Sequence, residues 1–249
     1  GNGFRVVNLF TEDHAALTGA RKVVIAHELK PEESWNANLN YVLTLPHKNG
    51  LFGLDASIFY TYFTNKIVGD FEADPEQIIY DNLDGFAISK GITINTELTF
   101  VNSLKVLAGV TLMDVYQMEK DSLEKKSKNT QMFAPRVSGT YSISYVVDKA
   151  NLTFDLTGRL NGPMRLPLGD TEVDKRPEYS PWFTIINFQV TKTFFSGLEI
   201  YGGVKNILNF IPENPLLEPQ NPFGVNFDTS YNYASVQGIK GFAGLRYSI

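Results

Sequence analysis

The segment VSGTYSISYVV, residues 137–147, alternates apolar and polar side chains along its length. Strict alternation predicts a β-strand with two chemically different faces. In a soluble protein the apolar face packs on a core. In a transmembrane barrel the apolar face contacts lipid and the polar face lines the interior. The direction in which Tyr141, Ile143 and Tyr145 point therefore decides the class of protein to which this chain belongs.

Similar alternation runs through most of the chain and predicts eight more strands. They cover residues 34–45, 51–68, 77–101, 104–118, 151–160, 181–194, 198–210 and 233–249. Most of these segments are longer than the 5–6 residues, roughly, of an average globular strand. They match the 9–11 residues, roughly, that a tilted strand needs to cross a bilayer. Strand length therefore favours the transmembrane interpretation.

The connections between these segments alternate in length. Short turns are predicted near 47–50, 101–103, 148–150 and 195–197, and long loops near 69–76, 119–129, 161–179 and 211–232. Outer-membrane barrels have short turns on the periplasmic side and longer loops outside. We therefore predict that the apolar face of 137–147 contacts lipid and that the long loops lie outside the cell.

Composition agrees with this interpretation and excludes other classes. The net charge is −5 and the pI about 5.3, which argues against nucleic-acid binding, since that usually needs a basic surface. No apolar run is long enough for a transmembrane helix. Aromatic residues make up 13% of the chain. Trp35, Tyr60, Tyr62 and Trp182 fall at the predicted outer strand ends, where an aromatic girdle is expected.

Four segments resemble the C-terminal part of TonB-dependent outer-membrane receptors. They are NGFRVVNLF at 2–10, ELKPEESWNANLNY at 28–41, GVKNILN at 203–209 and the final GFAGLRYSI at 241–249. Their order and spacing follow the family, and residues 11–25 are most similar to receptors from the Bacteroidetes. In such receptors the LKPE phrase opens a strand that enters the membrane from outside, and the VKNILN phrase lies on the next-to-last strand.

The resemblance implies an all-β fold, an antiparallel transmembrane β-barrel of which this chain forms about the last nine of 22 strands. Residues 1–249 would then be the C-terminal portion of the barrel, without the plug domain and the earlier strands. Alone, such a portion exposes two unpaired strand edges. The family commonly ends in an aromatic residue, whereas this chain ends in Ile249 with Tyr247 two positions earlier.

The resemblance also implies a function. Such receptors bind scarce, large nutrients outside the cell and import them with energy transmitted by TonB, so we expect a transporter in the outer membrane and not an enzyme. A corrinoid such as cobalamin, or an iron chelate (siderophore), is the expected ligand. The expected partners are outer-membrane lipid, the TonB complex through the missing plug, the small-molecule nutrient and a surface lipoprotein, with no nucleic acid.

Candidate ligand contacts lie in the outer loops. The last long loop combines aromatic and polar side chains, namely Asn226, Phe227, Asp228, Tyr231 and Tyr233. The loop at 161–179 contributes Arg165 and Arg176, which suit an anionic ligand. The alternative for each residue is that it only packs one loop on another, because a few groups carry most of the binding energy at a large interface.

Other chemistry receives less support. We expect Glu97, Lys105, Asp155 and Arg159 on the polar face to pair with one another or with the plug. The three histidines have no metal-ligand spacing, and the segment DNLDG at 81–85 lacks the further ligands of an EF-hand and is interpreted as a turn or strand irregularity. We expect no metal site and no cofactor. Calcium bound by outer-loop Asp residues remains an option, because some relatives use it.

Two alternatives of other classes remain open at this stage. A passive porin-type channel shares the alternation, but it would lack the ordered family segments. A soluble β-rich binding module predicts that Tyr141, Ile143 and Phe154 are buried in a core.

Overall fold

The computed structural model describes residues 1–7, 22–70, 73–74, 77–101, 103–120, 126–168, 174–194, 197–224 and 227–247. Over these residues the regular secondary structure is almost entirely β-strand, and a single 3₁₀ turn at Asp148–Ala150 joins two strands. No helix in the described part of the chain is long and apolar enough to cross a membrane.

One large antiparallel sheet dominates the molecule, in the order β1-β3-β4-β7-β8-β10-β11-β12-β13-β14, with β9 paired to β8. The strands are β1 (Asn2–Arg5), β3 (Glu32–His47), β4 (Gly50–Thr64), β7 (Gly85–Phe100), β8 (Leu104–Lys120), β9 (Lys126–Thr130), β10 (Val137–Val147), β11 (Leu152–Asn161), β12 (Phe183–Thr193), β13 (Leu198–Lys205) and β14 (Lys240–Tyr247). Among the described strands, β1 and β14 each pair on one side only.

Strand register sorts the side chains into continuous apolar and polar rows. One apolar row consists of Leu45, Phe52, Leu98, Val106, Ile143, Leu156, Phe188, Val204 and Gly241. A polar row on the opposite face consists of Asn40, Ser57, Thr93, Thr111, Ser138 and Asn161. Because partners across an antiparallel ladder share a face, the whole sheet has one apolar and one polar surface.

The apolar surface is largely uncovered. Leu39 is 69% exposed and Ile58 is 54% exposed, and both lie near the middle of long strands. Tyr141 and Phe154 are only partly buried, and Ile143 is exposed. A soluble binding module would bury these side chains in a core, so their exposure speaks against that alternative.

The rows run obliquely to the strand ends. The row of Leu45 starts two residues from the turn that ends β3, yet it reaches Gly241 at the beginning of β14. Such a stagger is the consequence of strands that tilt, as they do in barrels. Because β3 and β12 run in the same direction in the antiparallel order, Trp182, just before β12, lies at the same end of the sheet as Trp35 near the start of β3.

A second, smaller sheet lies at that end. It contains β2 (Lys22–Ile25), β5 (Ile67–Asp70) and β6 (Gln77–Asn82), in the order β2-β6-β5. The pairing of β2 with β6 is parallel. Ile78, Tyr80, Leu83, Ala87 and Ile88 are buried here, so this end of the molecule has a small core of its own.

The sequence predictions for the strands are confirmed in outline, and each of the nine predicted strands has a counterpart in the large sheet. Several boundaries are wrong. Residues 51–68 divide at Asn65, which has a φ of 51°, because β5 belongs to the small sheet. Residues 77–101 divide at Leu83 and Asp84, within the DNLDG segment that was interpreted as an irregularity. The number of strands in the complete barrel stays a prediction.

The loop predicted at 119–129 is also corrected. β8 continues to Lys120, and β9 pairs with it from Lys126, with Tyr116 opposite Thr130. The last two predicted strands are shorter than expected, because β13 ends at Lys205 and β14 begins at Lys240. No strand is predicted within residues 1–28, but the structure has β1 and β2 there. Ile249 lies outside the described residues.

Candidate functional site in the outer loops

Two long connections meet at the end of the sheet where β12 begins. They are residues 162–182, between β11 and β12, and residues 206–239, between β13 and β14. The second connection starts with two asparagines of the VKNILN phrase. Asn206 and Asn209 have φ values of 53° and 52°, in the left-handed region that Asn tolerates better than most residues. The chain therefore reverses immediately after β13.

The same two asparagines also bind the far end of the connection. Asn206 Nδ2 donates to the Phe210 carbonyl (2.8 Å) and to the Gln237 carbonyl (3.3 Å). Asn209 Oδ1 accepts from the Ile239 amide at 2.9 Å. The connection is thus closed at its base before β14 begins, and its two ends leave the sheet together.

An aromatic core joins the two connections. Its buried members are Met164, Leu166, Phe183 and Tyr231, with Leu168, Ile185, Phe210, Tyr233 and Ala234 packed around them. The Phe183 and Phe210 rings stack with centroids 4.6 Å apart, and the Tyr231 ring meets Tyr233 edge-on at 6.2 Å. Because Phe183 belongs to β12, this core fixes both connections to the sheet.

Arg176 occupies the polar centre of this core. Its guanidinium binds Asp174 through both oxygens, with Nε to Oδ1 at 2.8 Å and Nη2 to Oδ2 at 2.6 Å. Nη1 donates to the Asn214 carbonyl at 3.1 Å, and Asp228 Oδ2 lies 3.9 Å from Nη2. The Asp174 side chain is 0% exposed and that of Arg176 is 7% exposed, so this is a buried bidentate ion pair.

The Tyr231 ring lies under the same guanidinium. The Arg176 Cζ is 4.0 Å from the ring centroid, and the Tyr231 hydroxyl donates to the Pro177 carbonyl at 2.7 Å. Burial raises the pKa of Tyr231 to about 12, although the nearby Arg176 charge acts in the opposite direction. Burial also raises the pKa of Tyr233. Both phenols therefore stay protonated at physiological pH.

The sequence-predicted contact residues are distributed unevenly around this cluster. Arg176, Asp228, Tyr231 and Tyr233 come together in it. Arg165 lies apart, where its Nε donates to Glu178 Oε1 at 3.0 Å. The Phe227 amide donates to the Gly224 carbonyl at 3.1 Å, and Asn226 lies outside the described residues.

Sequence reasoning missed Asp174, Phe183 and Phe210. Asp174 stands two residues before Arg176, a spacing that would have indicated a local carboxylate partner. Phe183 and Phe210 stand beside predicted strand ends, but their contact joins residues far apart in the chain, so no local pattern marks it.

A cavity of about 830 Å³ lies beside the cluster. The cluster residues Asp174, Arg176 and Tyr231 line one part, and Trp182, Leu208 and Glu213 line another. Pockets for small molecules commonly have a volume of this order. The lining is mixed, with three carboxylates (Asp174, Glu213, Glu218) and two cationic side chains (Lys175, Arg176) among aromatic and aliphatic groups.

Side chains on the polar surface of the sheet contact one another across neighbouring strands. Lys105 Nζ lies 2.8 Å from Glu97 Oε1, and Asn40 Nδ2 donates to Asp55 Oδ1 at 2.8 Å. The expected pairing of Glu97 with Lys105 is therefore present, whereas that of Asp155 and Arg159 stays a prediction. Within the described part of the chain, no group of three or more His, Asp or Glu side chains could hold a metal ion.

Comparison with known proteins finds one matching family. Residues 1–207 match the model of the family described as TonB dependent receptor-like, beta-barrel. No match was found among curated proteins.

Three solved structures are similar to this chain. The FrpB iron transporter from Neisseria meningitidis (F3-3 variant) is 13% identical, with a TM-score of 0.58 over 90% of this chain and 32% of that one. The ferric-catecholate import receptor Fiu from Escherichia coli K12 is 14% identical, with a TM-score of 0.59 over 87% and 28%. FpvA from Pseudomonas aeruginosa, bound to a heterologous pyoverdine with iron, is 15% identical, with a TM-score of 0.56 over 88% and 27%.

This chain therefore spans 27–32% of the length of these three proteins, and at such low identity the likeness concerns the fold. The match to the family model covers most of the chain, and the two-faced antiparallel sheet agrees with it. The chain belongs to the family of TonB-dependent receptor β-barrels.

Proposed function

We propose that this chain is part of a receptor that imports a scarce, large nutrient through the outer membrane with energy transmitted by TonB. The observation that carries the proposal is the match of residues 1–207 to the TonB-dependent receptor barrel family. Members of this family are outer-membrane barrels that act as receptors and transporters. The exposed apolar rows of the sheet support a position in lipid.

Within this function, an iron chelate is the first candidate ligand and a corrinoid the second. FrpB is described as an iron transporter, Fiu as a ferric-catecholate import receptor, and FpvA was solved with ferric pyoverdine. These descriptions apply to those proteins, and at 13–15% identity they serve only to rank the candidates. The expected partners are a TonB complex, which would act through a plug domain, outer-membrane lipid and a surface lipoprotein.

The sequence-predicted contact residues of the outer loops have two proposed roles. Arg165, Phe227 and Tyr233 are the candidates for direct contact, since none of these three side chains is fully buried. Arg176, Asp228 and Tyr231 are largely buried and bound to protein groups, so we assign them to holding the loops in place. Asn226 and outer-loop calcium remain candidates from the sequence alone.

Uptake by a receptor-deficient strain that carries the complete gene tests this function. Import of radiolabelled ferric chelates and of cobalamin is measured with and without a functional TonB system. We expect TonB-dependent import of one ligand class. Import that does not depend on TonB would favour the passive channel. If the purified 249-residue chain stays a soluble monomer without detergent, the binding module would replace the transporter.

Once the ligand is known, Arg165→Ala and Tyr233→Ala test the direct contacts. We expect weaker binding in both variants. The Tyr233 ring also contacts Phe183 and Tyr231, so the melting temperature of each variant is measured beside its affinity to separate lost binding from lost packing. Unchanged affinity in both variants would contradict their assignment to the ligand.

A further inference from the structure

The sheet has a notch on its outer end between β12 and β13. β12 begins at Phe183, but its pairing with β13 starts only at Phe188, opposite Val204. Beyond this point a backbone hydrogen bond from the Ile207 amide to the Ile186 carbonyl continues the contact. The chain turns away from β12 at Asn206 and Asn209, and the cavity of about 830 Å³ is lined by Phe183 and Thr184 of β12 and by Leu208 and Asn209 of this turn.

One side of this notch belongs to the apolar surface of the sheet. Thr184 lines the cavity and shares a register row with Leu160, Gly139 and Val110. Trp182, two residues earlier, lies on the same face, and its ring approaches Gly162. Two residues that line the cavity therefore lie on the surface that we assign to lipid.

The rim of this opening is apolar and accessible. Trp182 is 54% exposed, and Leu208, Ile211 and Leu216 are also exposed around the cavity. Tryptophan is enriched where a membrane protein crosses the boundary between hydrocarbon and water. An occupant that enters from the membrane can thus place an alkyl chain along the rim and a polar head inside.

The interior of the notch selects against an anionic head group. Asp174 neutralises Arg176 directly at 2.6 Å. The remaining charged lining residues are Lys175, Glu213 and Glu218, so no net positive charge is left to attract a phosphate. Carboxylates and amides, such as Glu213, Asn209 and Asn214, instead suit a neutral head group with many hydroxyl groups.

An exposed tryptophan beside such groups adds a stacking platform. The negative face of an aromatic ring attracts polarised C–H groups, and the flat side of a sugar ring presents several of them. We propose that this notch binds the neutral sugar head group of a glycolipid in the outer leaflet. The glycolipid would approach from the apolar surface on which Trp182 and Thr184 lie, although Tyr233, a candidate nutrient contact, lines the same cavity.

The test uses the receptor produced from its complete gene and purified in a sugar-free detergent, octaethylene glycol monododecyl ether. Dodecyl maltoside is the probe, maltose represents its head group alone, and phosphatidylglycerol represents an anionic lipid. Native mass spectrometry counts the probe molecules that each protein retains. We expect one retained dodecyl maltoside, with weak binding of maltose and no displacement by phosphatidylglycerol.

Two variants give the decisive contrast. Trp182→Ala should lower the affinity for the retained probe about tenfold, the effect of losing one favourable aromatic contact. Trp35→Ala is the matched control, since Trp35 is 63% exposed at the same end of the sheet. A third variant, Glu213→Gln, removes one carboxylate charge from the cavity lining and should also weaken retention.

Three results would overturn the proposal. Equal losses in Trp182→Ala and Trp35→Ala would mean that the probe binds the apolar belt in general. Maltose that binds as tightly as dodecyl maltoside would assign the notch to a soluble sugar instead of a membrane lipid. Displacement by phosphatidylglycerol would show that the site takes anionic heads.

Discussion

The sheet and the outer-loop cluster hold together in different ways. The sheet derives its order from repetition, since each strand meets the next through a regular ladder with one apolar and one polar surface. The cluster has no repeat and depends on a few buried groups, chiefly Asp174, Arg176, Phe183 and Tyr231. A single substitution should therefore destabilise the two regions to different extents.

The largest expected effect is in the cluster. Arg176→Ala leaves Asp174 buried without its bidentate partner, and breaking a buried pair in this way costs about 3–5 kcal/mol. We expect hydrogen exchange to increase across residues 162–168 and 206–224 while the strands stay protected. Arg165→Ala is the control, because its partner Glu178 is 52% exposed and such pairs contribute at most about 1 kcal/mol. Similar exchange in the two variants would contradict the special role of Arg176.

In the sheet, the face of the substitution should decide its effect. Ile143→Lys places a charge on the apolar surface at the middle of β10, where lysine costs about 2–4 kcal/mol in a bilayer. Ser142→Lys places the same charge on the polar surface and should be nearly neutral. Urea unfolding of the complete receptor in lipid vesicles measures both. If the two variants are equally destabilised, the apolar surface does not face lipid.

These two regions also differ in how far the sequence predicts them. A strand between lipid and a polar interior must alternate, so residues 104–118 and 137–147 could be recognised within a short window. β9 escaped prediction because KSKNT extends a hairpin with polar residues on both faces. The contact of Arg176 with Asp228 joins residues 52 positions apart by their numbers, and no local period encodes it.

An intermediate effect is expected at Tyr231. Its pKa in the folded protein is raised from 10.0 to about 12. The unfolded chain therefore loses this proton first, and the stability that depends on the neutral phenol is complete below pH 10 and is lost as the pH rises from 10 to 12.

Tyr231→Phe tests this pH dependence. The variant should be less stable at pH 8 by about 1–2 kcal/mol, because the Pro177 carbonyl loses its donor. It should also lose stability less steeply between pH 10 and 12. Tyr179→Phe is the control, since Tyr179 is exposed. The measurement is the pH dependence of the melting temperature, and parallel curves for wild type and Tyr231→Phe would contradict the assignment.

The smallest expected effect concerns the contact of His27 with Asp81, a residue of the small sheet. His27 Nδ1 lies 2.6 Å from Asp81 Oδ2, just after β2. The hydrogen bond from His27 is the main cause that lowers the pKa of Asp81. A lowered carboxylate pKa stabilises the folded state above the unfolded value of about 3.9, and this contribution is lost as the pH falls through the lower folded value.

His27→Ala should remove this acid dependence from β2. Because the pair is exposed, the expected change is below about 1 kcal/mol. Hydrogen exchange of Lys22–Ile25 between pH 5 and 2, corrected for intrinsic rates, measures it. His47→Ala is the control, since His47 ends β3 at the opposite end of the sheet. An unchanged pH profile for β2 would show that the pair does not hold this strand.

The order of strand pairing also implies an order of assembly. From β3 to β14 each long strand pairs with the next long strand along the chain, so the sheet can grow one hairpin at a time with little loop-closure entropy per step. Asp174 and Arg176 are close in sequence and can associate as soon as their own connection is made. Asp228 and Tyr231 join them only when the last connection is made. A nascent chain that ends with β13 therefore holds Arg176 with a single carboxylate and lacks the Phe210 ring that stacks on Phe183. The ordering of the outer loops is therefore expected to be the latest event in the maturation of this region.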